Sequence, residues 1–261
     1  INMRLGSFSK PVVSLFMGEK PTMHEQGFFH AYTLEEAACI AVALVRGEKP
    51  VYPGEIKGID GFAAEEKKVI KAYYSGGTLA EEAAMLIRDA LHVEKAPEKH
   101  EGYMLSLDGH VVIDLGDDVY TQGTPHPMID PAKRIECMKA AMDDPETGVI
   151  LFDVMLGYGS HADMAAALLP GIKKLQDRAR QENRKLLFVT TVCGTNSDEQ
   201  NYAHVVAELE EAGVIVCETN RAAVLTALHG IGREVLEPEK EILPKKQYQW
   251  NAESRLEKLR E

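Results

Sequence analysis

The chain has 261 residues, enough for one large domain or two modest ones with a substantial core. Its composition, 45% hydrophobic and 27% charged, is that of an ordinary globular protein. A formal net charge of −12 argues against a general nucleic-acid or anionic-membrane partner, because no basic stripe could neutralise the phosphates.

The chain opens at Ile1 and reaches a strand-like run, SKPVVSLFMG (9–18), almost at once. That run reads as the last strand of something earlier, so the chain is expected to be the C-terminal part of a longer protein. A Gly/Pro-bearing loop follows, then Thr33-Leu-Glu-Glu36 opens a helix through about residue 46. EKPVYPGEIKG (48–58), punctuated by proline and glycine, reads as a linker. Residues 1–58 are thus the expected last strand and helix of a preceding domain, plus linker.

From residue 59 to 235 the pattern changes. Five apolar runs of strand length recur: KKVIKAYYS (67–75), HVVIDLG (110–116), GVILFDVML (148–156), KLLFVTTVC (185–193) and GVIVCE (213–218). Several are nearly continuous in apolar or β-branched residues, as in strands buried on both faces of a parallel sheet. Helices are expected between them at about 78–92, 131–143, 162–182, 197–212 and 219–230. Thr78-Leu-Ala-Glu81 is a capping box, Asp130-Pro131 sets an acid before a first-turn proline, and Ser197-Asp-Glu-Gln200 is a further start signal. Pro170 predicts a kink or break in the third of these helices. The alternation of strand and helix predicts an α/β fold with a doubly wound, mostly parallel sheet. Residues 236–261 are a polar tail, whose last segment is either an amphipathic helix or solvated chain.

The four cysteines, Cys39, Cys137, Cys193 and Cys217, stand far apart with no CxxC pair, which argues against zinc and disulfide frameworks. No apolar run approaches the roughly 20 residues of a membrane span. A reducing cytoplasm is the expected compartment.

In an open doubly wound sheet, ligands collect at the carboxyl ends of the strands. This selects four loops: YSGGT (74–78), DLGDDVYTQGTPHP (114–127), LGYGSHAD (156–163) and VCGTNSD (192–198). Gly76, Gly77 and Thr78 can turn a helix start, with its free N–H groups, toward a phosphate or carboxylate, or simply make a tight strand-to-helix turn. Gly157, Gly159 and Ser160 follow the same logic. His161 reads as a cap or surface group before a catalytic one. In the fourth loop Gly194 and Thr195 are the candidate contacts, and Cys193 reads as structural.

The second loop crowds Asp114, Asp117 and Asp118 together and sets His126 between two prolines. Such carboxylates can bind Mg²⁺, raise one another's pKa for proton transfer, or hold loop N–H groups as Asx-turns. Lys133 and Arg134 stand on the first turn of the next helix, where their charge opposes the dipole, so an anionic partner is expected there, either a ligand or the nearby aspartates. Asp117, Asp118 and His126 are the candidate catalytic residues, and no metal is assigned to them.

With these loops in order, the sequence resembles the FdrA family, related to the succinyl-CoA synthetase and NDP-forming acyl-CoA synthetase group. SKPVVSLFMG, YYSGGTLAEEAAMLI, VIDLGDDVYTQGTPHPMIDPAKR, VILFDVMLGYGSHAD and FVTTVCGT carry the resemblance, over about residues 9–230. It implies a C-terminal ligase-type domain of flavodoxin-like topology, preceded by CoA-binding-type and ligase-type domains. It also implies that Gly157, Gly159 and Ser160 begin a helix aimed at a phosphate, with the SGGT loop and Gly116 beside it. Nothing matches the phosphohistidine loop or a nucleotide-grasping domain. The implied activity is therefore acyl or carbamoyl transfer to or from phosphate, as in exchange between oxalurate and oxamate. In that reading Asp117, Asp118 and His126 position substrate or move a proton, and Arg134 pairs with a substrate carboxylate. A subunit of an NDP-forming acyl-CoA synthetase and a non-catalytic anion-binding domain are the alternatives. Phosphate or carbamoyl phosphate is the expected ligand and CoA a further candidate. The expected partners are a small anionic substrate, the preceding domains and companion subunits in an oligomer.

Overall fold

The computed structural model describes residues 10–18, 28–49, 68–93 and 100–233, which fall into two compact units. The expected linker over 50–58 and the tail from residue 236 lie outside the described residues.

The first unit holds β1 (Val12–Leu15), β2 (Phe28–Ala31) and α1 (Leu34–Arg46). The two strands pair in parallel from Val12 opposite Phe28 to Leu15 opposite Ala31. One strand is expected here and two are found. Phe29, Ala31, Ile40 and Leu44 close a small core between strands and helix. Thr33 caps α1 as expected, its hydroxyl accepting from Glu36 N at 3.2 Å, and Gly47 ends the helix at φ +72°.

The second unit is built from β3 (Val69–Tyr74), α2 (Gly77–Ala90), β4 (Tyr103–Leu107), β5 (His110–Asp114), α3 (Asp118–Thr121), α4 (Ala132–Ala141), β6 (Thr147–Met155), α5 (Met164–Gln181), β7 (Leu187–Cys193), α6 (Tyr202–Glu211), β8 (Ile215–Cys217) and α7 (Asn220–Gly230). The sheet order is β4-β5-β3-β6-β7-β8, parallel throughout except that β4 runs against β5. All five expected strands are present in this α/β sheet.

β4 joins the edge through Asp108 and Gly109, whose φ values of +47° and +83° make the tight turn with positive φ at both central residues that suits a two-residue hairpin. Helices α2 and α7 pack together on one face of the sheet, and α4, α5 and α6 cover the other. The strands are therefore buried on both sides, which is why β6 reads as an almost unbroken apolar run, with only its last residue not fully buried. Phe152, Phe188, Ile150, Leu168 and Ile172 anchor the core on the α4–α6 side. Each such side chain contributes about 1.5–3 kcal/mol on burial.

α5 runs through Pro170 as one helix rather than breaking there. The buried neighbours Leu168, Ile172 and Leu175 hold it to the sheet across the missing hydrogen bond. No helix among the described residues is long and apolar enough to cross a membrane.

The parallel strands run β5-β3-β6-β7-β8, so the chain winds outward in opposite directions from β3 and β6. The crevice at the carboxyl ends of those two strands is the topological switch point, where sheets of this kind bind ligands.

Candidate functional site

Three buried residues build the floor of that crevice. Asp153, near the end of β6, accepts from Ser75 N at 2.8 Å through Oδ1 and from the Ser75 hydroxyl at 2.7 Å through Oδ2. Arg134 reaches in from α4. Its Nη1 donates to the Asp153 carbonyl at 2.5 Å, Nη2 donates to the Pro127 carbonyl at 3.2 Å, and Nη2 stands 3.7 Å from Asp153 Oδ1. Arg134 and Asp153 are each only 1% exposed. Burial pulls the Arg134 pKa down, and Asp153 opposes the shift. The guanidinium expected to meet a substrate carboxylate is thus turned inward, and its anionic partner is the protein's own Asp153. Its charge can be afforded at the start of α4 because that counterion lies beneath it.

Above this floor the chain turns into α2. The helix starts at Gly77 with Gly76 as its cap, so Thr78 lies inside the first turn rather than capping it. Gly76 has extended backbone (φ −166°) and no side chain to accept a hydrogen bond, so no side chain caps the start of α2.

Across from Gly77 stands Asp114, 8% exposed at the end of β5. Its Oδ1 accepts from Gly116 N at 2.8 Å. A methyl group added to Gly77 would lie 3.0 Å from its Oδ2. Burial raises the Asp114 pKa; the Gly116 bond opposes that, Asp117 and Asp153 add to it, and His126 opposes it, leaving it raised.

Gly116 is threaded among polar atoms. A methyl there would sit 2.7 Å from the Ser75 carbonyl oxygen, 2.8 Å from His126 Nε2 and 3.1 Å from Asp114 Oδ1. His126 Nδ1 accepts from Met128 N at 3.3 Å, which assigns the ring proton to Nε2. Pro127, whose carbonyl Arg134 holds, fixes the chain beside it.

The other two aspartates of this loop lie at the start of α3. Asp117 caps the single turn of α3, accepting from Val119 N at 3.0 Å, and Asp118 is exposed at its start. Asp130 accepts from Ala132 N at 2.8 Å in a turn before α4, whose cap is Pro131, one position before the first-turn place expected for it. Lys133 pairs with Glu136 at 2.9 Å. Among the described residues no group of three or more His, Cys, Asp or Glu side chains is placed to hold a metal ion.

The loop after β6 is not itself a helix start. Gly157 (φ +109°) and Gly159 (φ +82°) hold conformations a helix cannot contain, and α5 begins only at Met164, capped by Asp163 through Ala166 N at 3.0 Å. His161 Nδ1 accepts from Asp163 N at 2.9 Å, a local turn contact. Ser160 precedes the helix, and its hydroxyl is buried without a hydrogen-bond partner among the described residues. The loop leans on the one before it through His161 N, which donates to the Met128 carbonyl at 2.8 Å.

In the fourth loop Gly194 packs its backbone against Leu156, where a methyl would fall within 2.5 Å of the side chain. Thr195 N and hydroxyl both reach Asp198 Oδ2, at 2.6 and 3.1 Å. That turn displaces the expected helix start at Ser197: α6 begins at Tyr202, capped by Asn201 through His204 N. Burial raises the Cys193 thiol pKa, with Asp153 and Asp198 adding to it, so the thiol is not activated as a nucleophile.

Gln200, read in the sequence only as part of a helix-start signal, joins two of the loops. Its Oε1 accepts from Gly157 N, while Nε2 donates to the carbonyls of Gly157 and His161. Asp153 could have been found: it is the one charged residue in an otherwise apolar strand, VILFDVM.

The site residues therefore divide. Gly76, Gly77, Gly116, Asp114 and His126 meet around the start of α2. Gly157, Gly159 and Ser160 lie in the loop following β6, at the other side of the switch point. Gly194 and Thr195 lie one strand further out.

A family model described as CoA-ligase matches residues 73–229. The chain is also 32% identical over 231 residues to the uncharacterized protein YahF of Escherichia coli strain K12, an alignment covering 84% of this chain and 45% of YahF. It thus spans about half the length of YahF. Residues 73–229 form a succinyl-CoA-synthetase-like domain, and the match takes in the sheet from the end of β3 onward and all four of its edge loops. The chain belongs to the CoA-ligase family.

Proposed function

We propose that this chain is part of an FdrA-type enzyme that transfers an acyl or carbamoyl group to or from phosphate. The observation that carries the reading is the start of α2, where no side chain caps the first-turn N–H groups, at the switch point of a CoA-ligase domain. Uncapped helix starts bind anions through oriented N–H groups and partial positive charge. The Gly76–Thr78 turn would hold phosphate or a phosphate ester from one side. The Gly157–Ser160 loop would approach from the other, where the buried Ser160 hydroxyl has no hydrogen-bond partner among the described residues. Ser75, Asp153 and Arg134 would hold both loops in place without touching the substrate.

Carbamoyl transfer between oxalurate and phosphate suits this arrangement, because it requires anion stabilisation and one proton transfer and no nucleotide. The preceding domains and companion subunits would supply the rest of the site in an oligomeric assembly. A second reading, a subunit of an NDP-forming acyl-CoA synthetase using CoA, is favoured by the family match itself.

The test is to supply the assembled enzyme with oxalurate and phosphate, and separately with carboxylic acid, CoA and nucleoside triphosphate. Carbamoyl phosphate formed without nucleotide supports the first reading; acyl-CoA formed only with nucleotide supports the second. Titration of this chain with inorganic phosphate, followed by amide NMR, should move Gly77 and Thr78 first. Neither turnover nor a shift at those amides would end both readings.

A further inference from the structure

We propose that Asp114 is the proton-transferring group of this site and His126 the hydrogen-bond donor paired with it, and that Asp117 and Asp118 take no part in proton transfer. The assignment rests on the transfer reaction proposed above, but its core is geometric. Asp114 Oδ1 is held by Gly116 N at 2.8 Å, whereas Oδ2 accepts no hydrogen bond among the described residues and borders Gly77 at the start of α2. His126 has its Nδ1 occupied by Met128 N, so Nε2–H is the free end of the ring. Both groups close on Gly116, where only the missing side chain lets the imidazole and the carboxyl approach from two sides. Asp117 has its Oδ1 bound to Val119 N, and Asp118 is exposed on α3. The charged and titratable groups facing Asp114 are Asp117 from α3, Asp153 from β6 with Arg134 behind it, and His126. Burial and the two carboxylates favour a proton on Asp114, in keeping with a proton donor.

In the direction of transfer to phosphate, a phosphate oxygen forms the bond to the carbamoyl carbon and the bond from that carbon to the substrate nitrogen breaks. Protonated Asp114 gives its proton to the departing nitrogen and becomes a carboxylate. It then takes the proton lost by the phosphate hydroxyl, so one proton is relayed and none is consumed. His126 Nε2–H donates a hydrogen bond to the developing carbonyl oxyanion and restrains the charge on Asp114.

Carboxyl-carbon NMR of the 261-residue chain tests the pair without turnover, with Asp114→Asn supplying the assignment. Asp114 should titrate above the ordinary carboxylate value of 3.8 and move higher still in His126→Gln. In the assembled enzyme Asp114→Asn and His126→Gln should each lower kcat about 100-fold or more with little change in KM, and Asp117→Asn and Asp118→Asn should stay within about threefold. An Asp114 that titrates ordinarily and ignores His126→Gln overturns the pair. So does loss in Asp117→Asn or Asp118→Asn equal to that in Asp114→Asn. An assembly inactive toward oxalurate while Asp114 still titrates high removes the reaction and leaves the pair standing.

Discussion

Gln200 holds Gly157 by both of its backbone polar groups, its Oε1 accepting from Gly157 N at 3.1 Å and its Nε2 donating to Gly157 O at 3.1 Å. A third bond, from Nε2 to the His161 carbonyl at 3.2 Å, carries the same side chain across the loop. The loop after β6 thus takes its shape from a residue on the loop after β7. Gly157 holds φ +109° there, a conformation with little intrinsic preference, so the clamp supplies order that the glycine itself does not.

Gln200→Ala should therefore loosen the glycine loop more than it destabilises the protein. Losing these bonds should cost about 1–3 kcal/mol in urea denaturation. Amide exchange at Gly157 should accelerate strongly while amides of β6 and β7 keep their protection. Equal acceleration across the sheet would mean that Gln200 supports the fold and not the loop.

Asp153 and Arg134 form a buried ion pair, and such pairs behave asymmetrically on mutation. Removing one partner strands a charge, whereas removing both can be nearly neutral. Asp153→Ala should cost about 3–5 kcal/mol, partly through the two Ser75 bonds it also breaks. Adding Arg134→Met to it should recover stability rather than lose more, a coupling read by a double-mutant cycle. Additive losses would show that Arg134 contributes through its bonds to the Asp153 and Pro127 carbonyls and not through its charge.

The sheet was legible because burial on both faces leaves near-continuous apolar runs, a pattern that β6 and β7 write most plainly. The edge strand β4, YMLSL, does not: an edge needs no apolar face on both sides, and its only marker is the Asp108–Gly109 turn behind it. Helix starts were legible to a few residues only. Thr33 caps where its motif predicts, yet Thr78 gives way to Gly76 and Ser197 to Asn201, because in the SDEQN stretch Asp198 bonds back to Thr195 and shifts the start. At the site, the four loops follow from topology. The distinction between Asp114 and its neighbours does not, since three aspartates within five residues are alike in sequence and differ only in which way the chain turns at Gly116.

Two glycines of the site should respond in opposite ways. A methyl on Gly76 meets nothing within 4 Å, and the extended backbone there suits any residue, so Gly76→Ala should leave stability within about 0.5 kcal/mol. Gly116→Ala drives a methyl against a backbone oxygen and two site side chains, and should cost about 1–3 kcal/mol by the overpacking it forces. Thermal unfolding of the two variants side by side decides this. A benign Gly116→Ala would show that His126 and Asp114 can separate freely, which would also weaken their assignment as a pair.

His110 makes stability depend on pH at the opposite end of the sheet. It is 4% exposed, and its Nδ1 accepts from Ile70 N at 3.2 Å, a bond that only the neutral ring can make there. Burial lowers its pKa to about 4 from 6.5, Arg233 and Lys71 acting with burial and Asp108 against it. A pKa lower in the folded state means that the unfolded chain takes up the proton first. The contribution of His110 is therefore fully present above pH 6.5 and is lost as pH falls toward 4. At about 1.4 kcal/mol per pH unit the loss could reach roughly 3 kcal/mol. Urea midpoints measured from pH 8 to 4 should fall more steeply in the wild type than in His110→Asn, which starts less stable but lacks the titrating group. Parallel slopes would show that the ring takes up its proton in the folded protein without penalty, and that Ile70 N finds another acceptor.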